Sequence, residues 1–297
     1  MHLPVLLNET IELLNLEKGY FIVDGTVDGG GHAEKIIEKI MPGGEFLGID
    51  LDKDTIAKTE KEKRQEFKKF ASHLHFEHGN YKDIVEILKN LKLSKADGVM
   101  VDLGYSSWQI DDQERGFSFK GDGRLDMRYD VSSGFSAEDV INGTNEEELA
   151  NILYQYGEER FSRRIAKGII ETRKKHRIEN VGELVRVISH SVPAFYQRGK
   201  ISCATKSFQA LRIYVNKEFE NLTTFLADVK KVIRPGGRLV VITFHSLEDR
   251  IVKRSFQQMH KDKIGIIINK KVIRPTEEEI QINPRSRSAK IRAIKII

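Results

Sequence analysis

The chain has 297 residues, 39% hydrophobic and 31% charged, which is enough apolar material for one large domain or two smaller ones with cores of their own. Its formal net charge is +5, and its single cysteine, Cys203, excludes an internal disulfide framework and any multi-cysteine zinc site. No apolar run reaches bilayer length and no secretory leader is visible, so a cytoplasmic protein with no membrane partner is expected.

Tyr20–Val27 reads as a first strand, followed by a glycine turn and a helix over Ala33–Ile40. Gly44–Leu51, Leu74–His78 and Gly98–Leu103 are the next strand candidates, with helices predicted at Lys53–Phe70 and Ile84–Leu91. Strands alternating with helices of this length imply right-handed crossovers and a parallel sheet. Lys53–Phe70 is so heavily charged that it reads as an exposed crossover helix and nothing more. After Leu103 strand signals fade. A glycine-punctuated polar loop, Gly116 to Gly143, precedes helices predicted over Glu146–Tyr156, Arg160–Arg173 and Gly182–Ser191; on the middle one Phe161, Ile165 and Ile169 share a face. Alternation resumes with a helix over Phe208–Ile233, the turn Arg234-Pro-Gly-Gly, a strand over Arg238–Phe244 and a helix over Leu247–Met259. Two late strands, Ile264–Val272 and Ala289–Ile297, close the chain. The economical fold is one α/β domain, residues 1–110 and 211–297, interrupted by a helical insertion at 111–210.

The charge is unevenly placed. Arg250 to Ile297 holds 13 Lys+Arg against 4 Asp+Glu, and Arg160 to Arg177 holds 8 against the single acid Glu171. Such segregation points to a polyanion, most simply nucleic acid; the bland alternative is a solvated charged face. Asn283-Pro-Arg-Ser-Arg-Ser-Ala-Lys290 reads either as a phosphate contact or as a salt-bridged loop clamping the last strand.

The most informative stretch is Asp24-Gly-Thr-Val-Asp-Gly-Gly-Gly-His32, lying between a strand and a helix. There a backbone can lie against a ligand with no Cβ intervening. A second strand ends at Asp50, where the two hydroxyls of a ribose need acceptors. Two acids at the turn, Asp24 and Asp28, would repel a pyrophosphate, so a cationic nucleoside such as S-adenosylmethionine fits better than NAD. Tyr81 can lie against adenine. Asp102 ends the fourth strand, where it contacts the methyl donor, orients an acceptor amine, or does both. Tyr105 or Trp108 can stack on an extruded base. Methylation of a pyrimidine ring carbon calls for a thiolate; Cys203 sits far along the insertion, so direct transfer to nitrogen or oxygen is preferred. His73, His75 and His78 alternate in face along one strand, and no metal site is assigned to them. His245, at the end of the strongest strand, is a better functional candidate, or else caps the next helix through Ser246.

Together these motifs resemble one family. His2-Leu-Pro-Val-Leu-Leu-Asn-Glu9, the turn Asp24–His32, Gly48-Ile-Asp50, Asp102-Leu-Gly104, Arg115-Gly-Phe-Ser-Phe119 and Leu125-Asp-Met-Arg128 stand in its order. So do Ser207-Phe-Gln-Ala-Leu-Arg-Ile213, Thr243-Phe-His-Ser-Leu-Glu-Asp-Arg250 and Asn283–Lys290. End to end, the chain resembles the bacterial 16S ribosomal RNA (cytosine-N4)-methyltransferase family. The resemblance implies a class I S-adenosylmethionine-dependent fold, Rossmann-like with a mostly parallel sheet, and an inserted helical domain that holds substrate. It implies methylation of a cytidine near the decoding centre of the small ribosomal subunit, and it is compatible with a homodimer. It assigns Gly30, Gly31, His32, Asp50, Tyr81, Asp102 and Gln109 to the cofactor; Asp102, from its place at the strand end, is also the expected catalytic residue. The chain departs from the family's pattern at Asp28, where glycine is usual, and at Tyr105 and Trp108, where valine and proline are usual. Aspartate is tolerated at 28 if it takes a left-handed conformation. Competing readings are an amine methyltransferase acting on DNA or protein, a ribosome-assembly factor that binds the cofactor without chemistry and, weakest, a nicotinamide dehydrogenase.

Overall fold

The computed structural model describes residues 3–105, 109–110, 112–132, 134–199 and 201–297. The chain divides into two compact units: residues 1–104 with 219–297, and residues 105–218. The junctions leave the helix Thr205–Val215 whole within the second unit, where the sequence reading cut it at residue 210.

In the first unit seven strands form one sheet: β1 (Phe21–Asp24), β2 (Glu45–Asp50), β3 (Leu74–His78), β4 (Ala96–Asp102), β5 (Ile233–Thr243), β6 (Gly265–Ile267) and β7 (Lys290–Ile296). Their order is β3-β2-β1-β4-β5-β7-β6. The first five run parallel, and β7 is antiparallel to both β5 and β6. The chain leaves β1 for β2 on one side and returns to β4 on the other, so strand order reverses at the β1/β4 boundary. In open α/β sheets that crevice is where ligands bind.

Side-chain alternation along the strands sorts the core into two faces. Val23, Leu47, Ile49, Val99, Val101, Leu239 and Val241 share a cluster with Ile84, Leu88, Phe225 and Phe256. Ile22, Phe46, Met100, Val240 and Ile242 share the other with Leu14, Ile36, Ile37 and Ile40. Helices therefore cover both faces, which is why the central strands read as nearly continuous apolar runs. Those that precede β4 are α1 (Leu7–Leu14), α2 (Gly31–Ile40), α3 (Lys53–Glu66) and α4 (Ile84–Asn90).

The second unit is helical: α5 (Ala137–Gly143), α6 (Glu146–Gly157), α7 (Ser162–Arg173), α8 (Val181–Ser191), α9 (Ala194–Gln197) and α10 (Thr205–Val215). Their apolar faces close one core that includes Leu149, Leu153, Ile165, Ile169, Leu184 and Leu211, with Cys203 buried among them. Then follow α11 (Glu218–Asp228), α12 (Ser246–Lys261) and α13 (Glu277–Ile282). Among the described residues no helix is long and apolar enough to cross a membrane.

Several elements differ from the sequence reading. Helix α5 lies inside the expected loop Gly116–Gly143, started by a reciprocal cap in which Ser136 Oγ accepts the Asp139 N–H and Asp139 Oδ2 accepts the Ser136 N–H. The expected helix Phe208–Ile233 is two helices, and Ile233 belongs to β5. Asn216 breaks it: Nδ2 donates to the Met127 carbonyl and Oδ1 accepts the Tyr129 N–H, each at 2.7 Å, and Lys217 follows with φ +51°. Strand β6 spans only three residues of the expected Ile264–Val272. Helices α1 and α13 went unpredicted, and they meet where Glu279 Oε1 accepts the Leu6 N–H at 2.8 Å.

Arg212 and Glu218 form a buried two-pronged ion pair in the second unit, with contacts of 2.8 and 2.9 Å. Removing one partner strands the other charge away from water. Arg212→Ala is therefore expected to lower unfolding free energy by about 3–5 kcal/mol, measured by urea denaturation followed by circular dichroism. Replacing both residues by methionine should cost less than Arg212→Ala alone.

Candidate functional site

The tips of β1, β2 and β4 build the site in the first unit. Register places Asp24 opposite Gly48 and Met100, so Asp50 and Asp102 stand two residues further along their own strands at the same sheet edge. Strand β1 ends in a tight turn: the Gly25 N–H donates to the Met100 carbonyl at 2.9 Å and the Thr26 N–H to Asp24 Oδ1 at 3.1 Å. A Cβ on Gly25 would lie 2.7 Å from a Val101 methyl and 3.0 Å from Tyr81 Cβ, so only glycine allows the two elements this close. Thr26 Oγ1 then accepts the Asp102 N–H at 2.6 Å, tying the β1 turn to the β4 tip.

Asp28 takes φ +43°, the left-handed conformation its position requires. Its N–H donates to Asp50 Oδ2 at 2.9 Å, while the Asp52 N–H donates to Asp50 Oδ1 at 2.9 Å. Each Asp50 oxygen thus keeps lone-pair capacity for a second donor, such as a ribose hydroxyl. The Asp28 carbonyl accepts the Thr59 hydroxyl at 2.6 Å. Thr59 comes from α3, a helix whose heavy charge predicts no more than an exposed crossover. Ile56, Thr59 and Lys63 are its buried face, and the Lys63 ammonium reaches Glu34 at 3.0 Å and Glu66 at 2.7 Å. The spacing of those three residues was the available signal.

The chain itself requires glycine at both positions that the resemblance assigns to the cofactor. Gly30 has φ +74°, and a Cβ there would meet Thr59 and Lys63 at 2.9 Å; one on Gly31 would meet the Pro4 ring at 3.0 Å. The space that a Cβ would take at these two positions is filled by this protein's own side chains. His32 is buried, with Nε2 3.0 Å from the Val5 carbonyl, so its ring anchors the N-terminal segment. Tyr81 packs edge to face on Phe225, with ring centroids 5.3 Å apart.

Asp24, Asp50 and Asp102 form no ion pair with lysine or arginine among the described residues. Asp24 Oδ2 and Asp102 Oδ1 are buried with no hydrogen-bond partner among the described residues. Burial, then the charges of Asp50 and Asp28, push Asp24 up to about 7 against the lowering effect of the Thr26 N–H. Burial foremost, with Asp28 and Asp52 adding, pushes Asp50 up to about 7 against its two N–H donors. Asp102 rises well above the carboxylate range through burial, then through Asp24, Asp28 and Glu248.

Glu248 belongs to a cap that the sequence reading placed on Ser246. His245 itself is the capping residue: its Nδ1 accepts the Glu248 N–H at 3.3 Å, and Glu248 Oε2 accepts the N–H groups of Phe244 and His245. At the C-terminus Arg292 and Lys290 both reach Asp249 of α12, the clamp reading, while Arg285 and Arg287 stay exposed.

In the second unit Gln109 is buried. Tyr105 leaves 41% of its surface open, with the Arg212 guanidinium 4.8 Å from its ring and Phe117 at 6.0 Å. Phe117 stacks on Tyr129 at 5.5 Å, and the Tyr129 hydroxyl donates to Glu218 at 3.1 Å. Trp108 lies outside the described residues.

An acid whose pKa is higher folded than unfolded favours the folded state below its ordinary value and loses that contribution as pH rises through the folded one. With Asp24 and Asp50 moved from 3.8 to about 7, melting temperature of the ligand-free protein should fall from about pH 5 to about pH 8. Asp24→Asn should flatten that fall; equal slopes in the two proteins would contradict the shift.

A family model described as the MraW methylase family matches residues 1–297. A ribosomal RNA small subunit methyltransferase H of Thermotoga neapolitana is 44% identical over 299 residues, covering 100% of this chain and 96% of that protein. One of the same name from Clostridioides difficile is 43% identical over 311 residues, covering 100% and 99%. Among solved structures, a candidate rRNA-methylase of Clostridium thermocellum superposes with a TM-score of 0.50 at 12% identity over 100% of both chains, a likeness of fold alone. With its class I methyltransferase sheet and a match running from first residue to last, the chain belongs to the MraW methylase family.

Proposed function

We propose that this S-adenosylmethionine-dependent methyltransferase methylates the exocyclic N4 of a cytidine in 16S ribosomal RNA, near the decoding centre of the small subunit, in the cytoplasm. The observation that carries this reading is the meeting of Asp24, Asp50 and Asp102 at the β1/β4 reversal, none of them ion-paired with lysine or arginine among the described residues. Two buried carboxylate oxygens without partners among the described residues suit a ligand bearing both a sulfonium and an ammonium group. They do not suit a pyrophosphate. Asp24 and Asp102 would face the positive groups, Asp50 the ribose, and Tyr81 the adenine ring. S-adenosylmethionine, when bound, supplies an electrophilic methyl group.

The chain's task is then to present the amine. The lone pair of N4 is delocalised into the cytosine ring, so a hydrogen-bond acceptor that draws the amino group out of conjugation helps more than a strong base. The bond from the Asp102 N–H to the Thr26 hydroxyl oxygen, which ties the β4 tip to the β1 turn, supports this role. Once N4 carries the methyl group it is cationic and must release a proton. A carboxylate whose proton affinity is lifted by burial and by neighbouring acids is a better acceptor for it.

Small subunits, naked RNA, DNA and protein incubated separately with labelled cofactor, then digested for nucleoside mass spectrometry, test the reading. Label in N4-methylcytidine from small-subunit RNA is expected; label confined to DNA or protein, or none, would contradict it. Asp102→Ala is expected to lower turnover roughly 100-fold or more while leaving cofactor affinity within about tenfold. A variant that kept full turnover would remove Asp102 from the chemistry.

A further inference from the structure

The second unit carries a surface cluster that the acidic sheet edge does not use. Glu159 is fully buried; its Oε1 accepts the Phe161 N–H and its Oε2 accepts the Tyr196 hydroxyl, each at 2.8 Å. Phe161 and Tyr196 are thereby held edge to face with centroids 4.9 Å apart, and Phe195 lies 6.3 Å from Phe161. The Arg160 guanidinium covers all three rings, 4.8 Å from Phe161 and Tyr196 and 5.4 Å from Phe195. Arg164 reaches the Phe161 ring at 5.9 Å. A buried carboxylate thus fixes the rings, and the rings fix a cation.

This arrangement meets solvent. Phe195 leaves 64% of its surface exposed, and Arg160, Arg163, Arg164 and Lys167 are all exposed. None of the three arginines makes an ion pair among the described residues. An apolar protein groove would have to desolvate these guanidinium groups without pairing them. A duplex would use the cations and leave the aromatic face idle. Unpaired nucleotides use both, because each base offers a π-face to stack and each linkage a phosphate to pair.

We propose that the face formed by Phe195, Arg160, Arg163, Arg164 and Lys167 binds an unpaired stretch of the RNA substrate, one base stacking on Phe195 and flanking phosphates pairing with the arginines. This rests on the RNA-methylation reading and states where the helical unit grips its substrate.

The test is anisotropy of a fluorescein-labelled single-stranded oligoribonucleotide titrated with the full chain across a salt series. Phe195→Ala should weaken binding roughly tenfold, and Phe195→Trp should retain it. Arg163→Ala with Arg164→Ala should reduce the slope of log affinity against log salt by about 1.4. Melting temperature and cofactor affinity should stay at the parent values. Unchanged affinity and slope in both variants would overturn the proposal, as would equal competition by duplex RNA or polyglutamate. A parent protein that methylates subunit RNA while the variants bind as it does removes this face and leaves the methylation reading standing. One that binds the oligonucleotide through Phe195 but transfers no methyl group does the reverse.

Discussion

Like charges brought together where water is scarce constrain the first unit more than any other interaction. Three parallel strands end at one edge of the sheet, and each ends in aspartate: Asp24, Asp50 and Asp102. Backbone donors soften the repulsion at Asp24 and Asp50, and among the described residues no lysine or arginine pairs with them. Burial and mutual repulsion raise the proton affinity of all three acids. A cationic occupant would lower it again, and in the proposed reading the same carboxylates would then act as its counter-charge.

The surroundings hold these acids close despite the repulsion. Thr26 joins the first turn to the β4 tip, Thr59 of α3 holds the Asp28 carbonyl, and Gly25 lets Val101 and Tyr81 approach. His32 and Glu279 hold the N-terminal segment through Val5 and Leu6. Glu248 caps α12 and adds its charge to the environment of Asp102, so one side chain serves both the helix and the site. The helical unit has its own scheme, two acids buried beneath aromatic rings and arginines: Glu218 under Arg212 and Tyr129, and Glu159 under Phe161 and Tyr196.

The central strands were legible from sequence because burial on both faces leaves an apolar signature independent of context. The acids at their tips were legible because each directly follows such a run. Helix α5 was missed although Ser136 and Asp139 carry a capping-box spacing, because glycine and polar residues on its N-terminal side masked a helix of seven residues. The break at Asn216 was not legible at all, since it depends on a side chain reaching back to Met127 and Tyr129. Similarly, Gly30 and Gly31 announce a close approach without saying to what, and the answer, Thr59, Lys63 and Pro4, is tertiary. His245 was singled out correctly as a strand-end residue, but its capping partner is Glu248 three residues on.

Isothermal titration calorimetry of S-adenosylmethionine at about pH 6.5, repeated in buffers of different ionisation enthalpy, measures the central claim directly. If the carboxylates hold protons until a cation arrives, binding must release protons, and the observed enthalpy must change with the buffer in that sense. Zero net release, or proton uptake, would show that the acidic edge is not where the positive charge of the ligand is held.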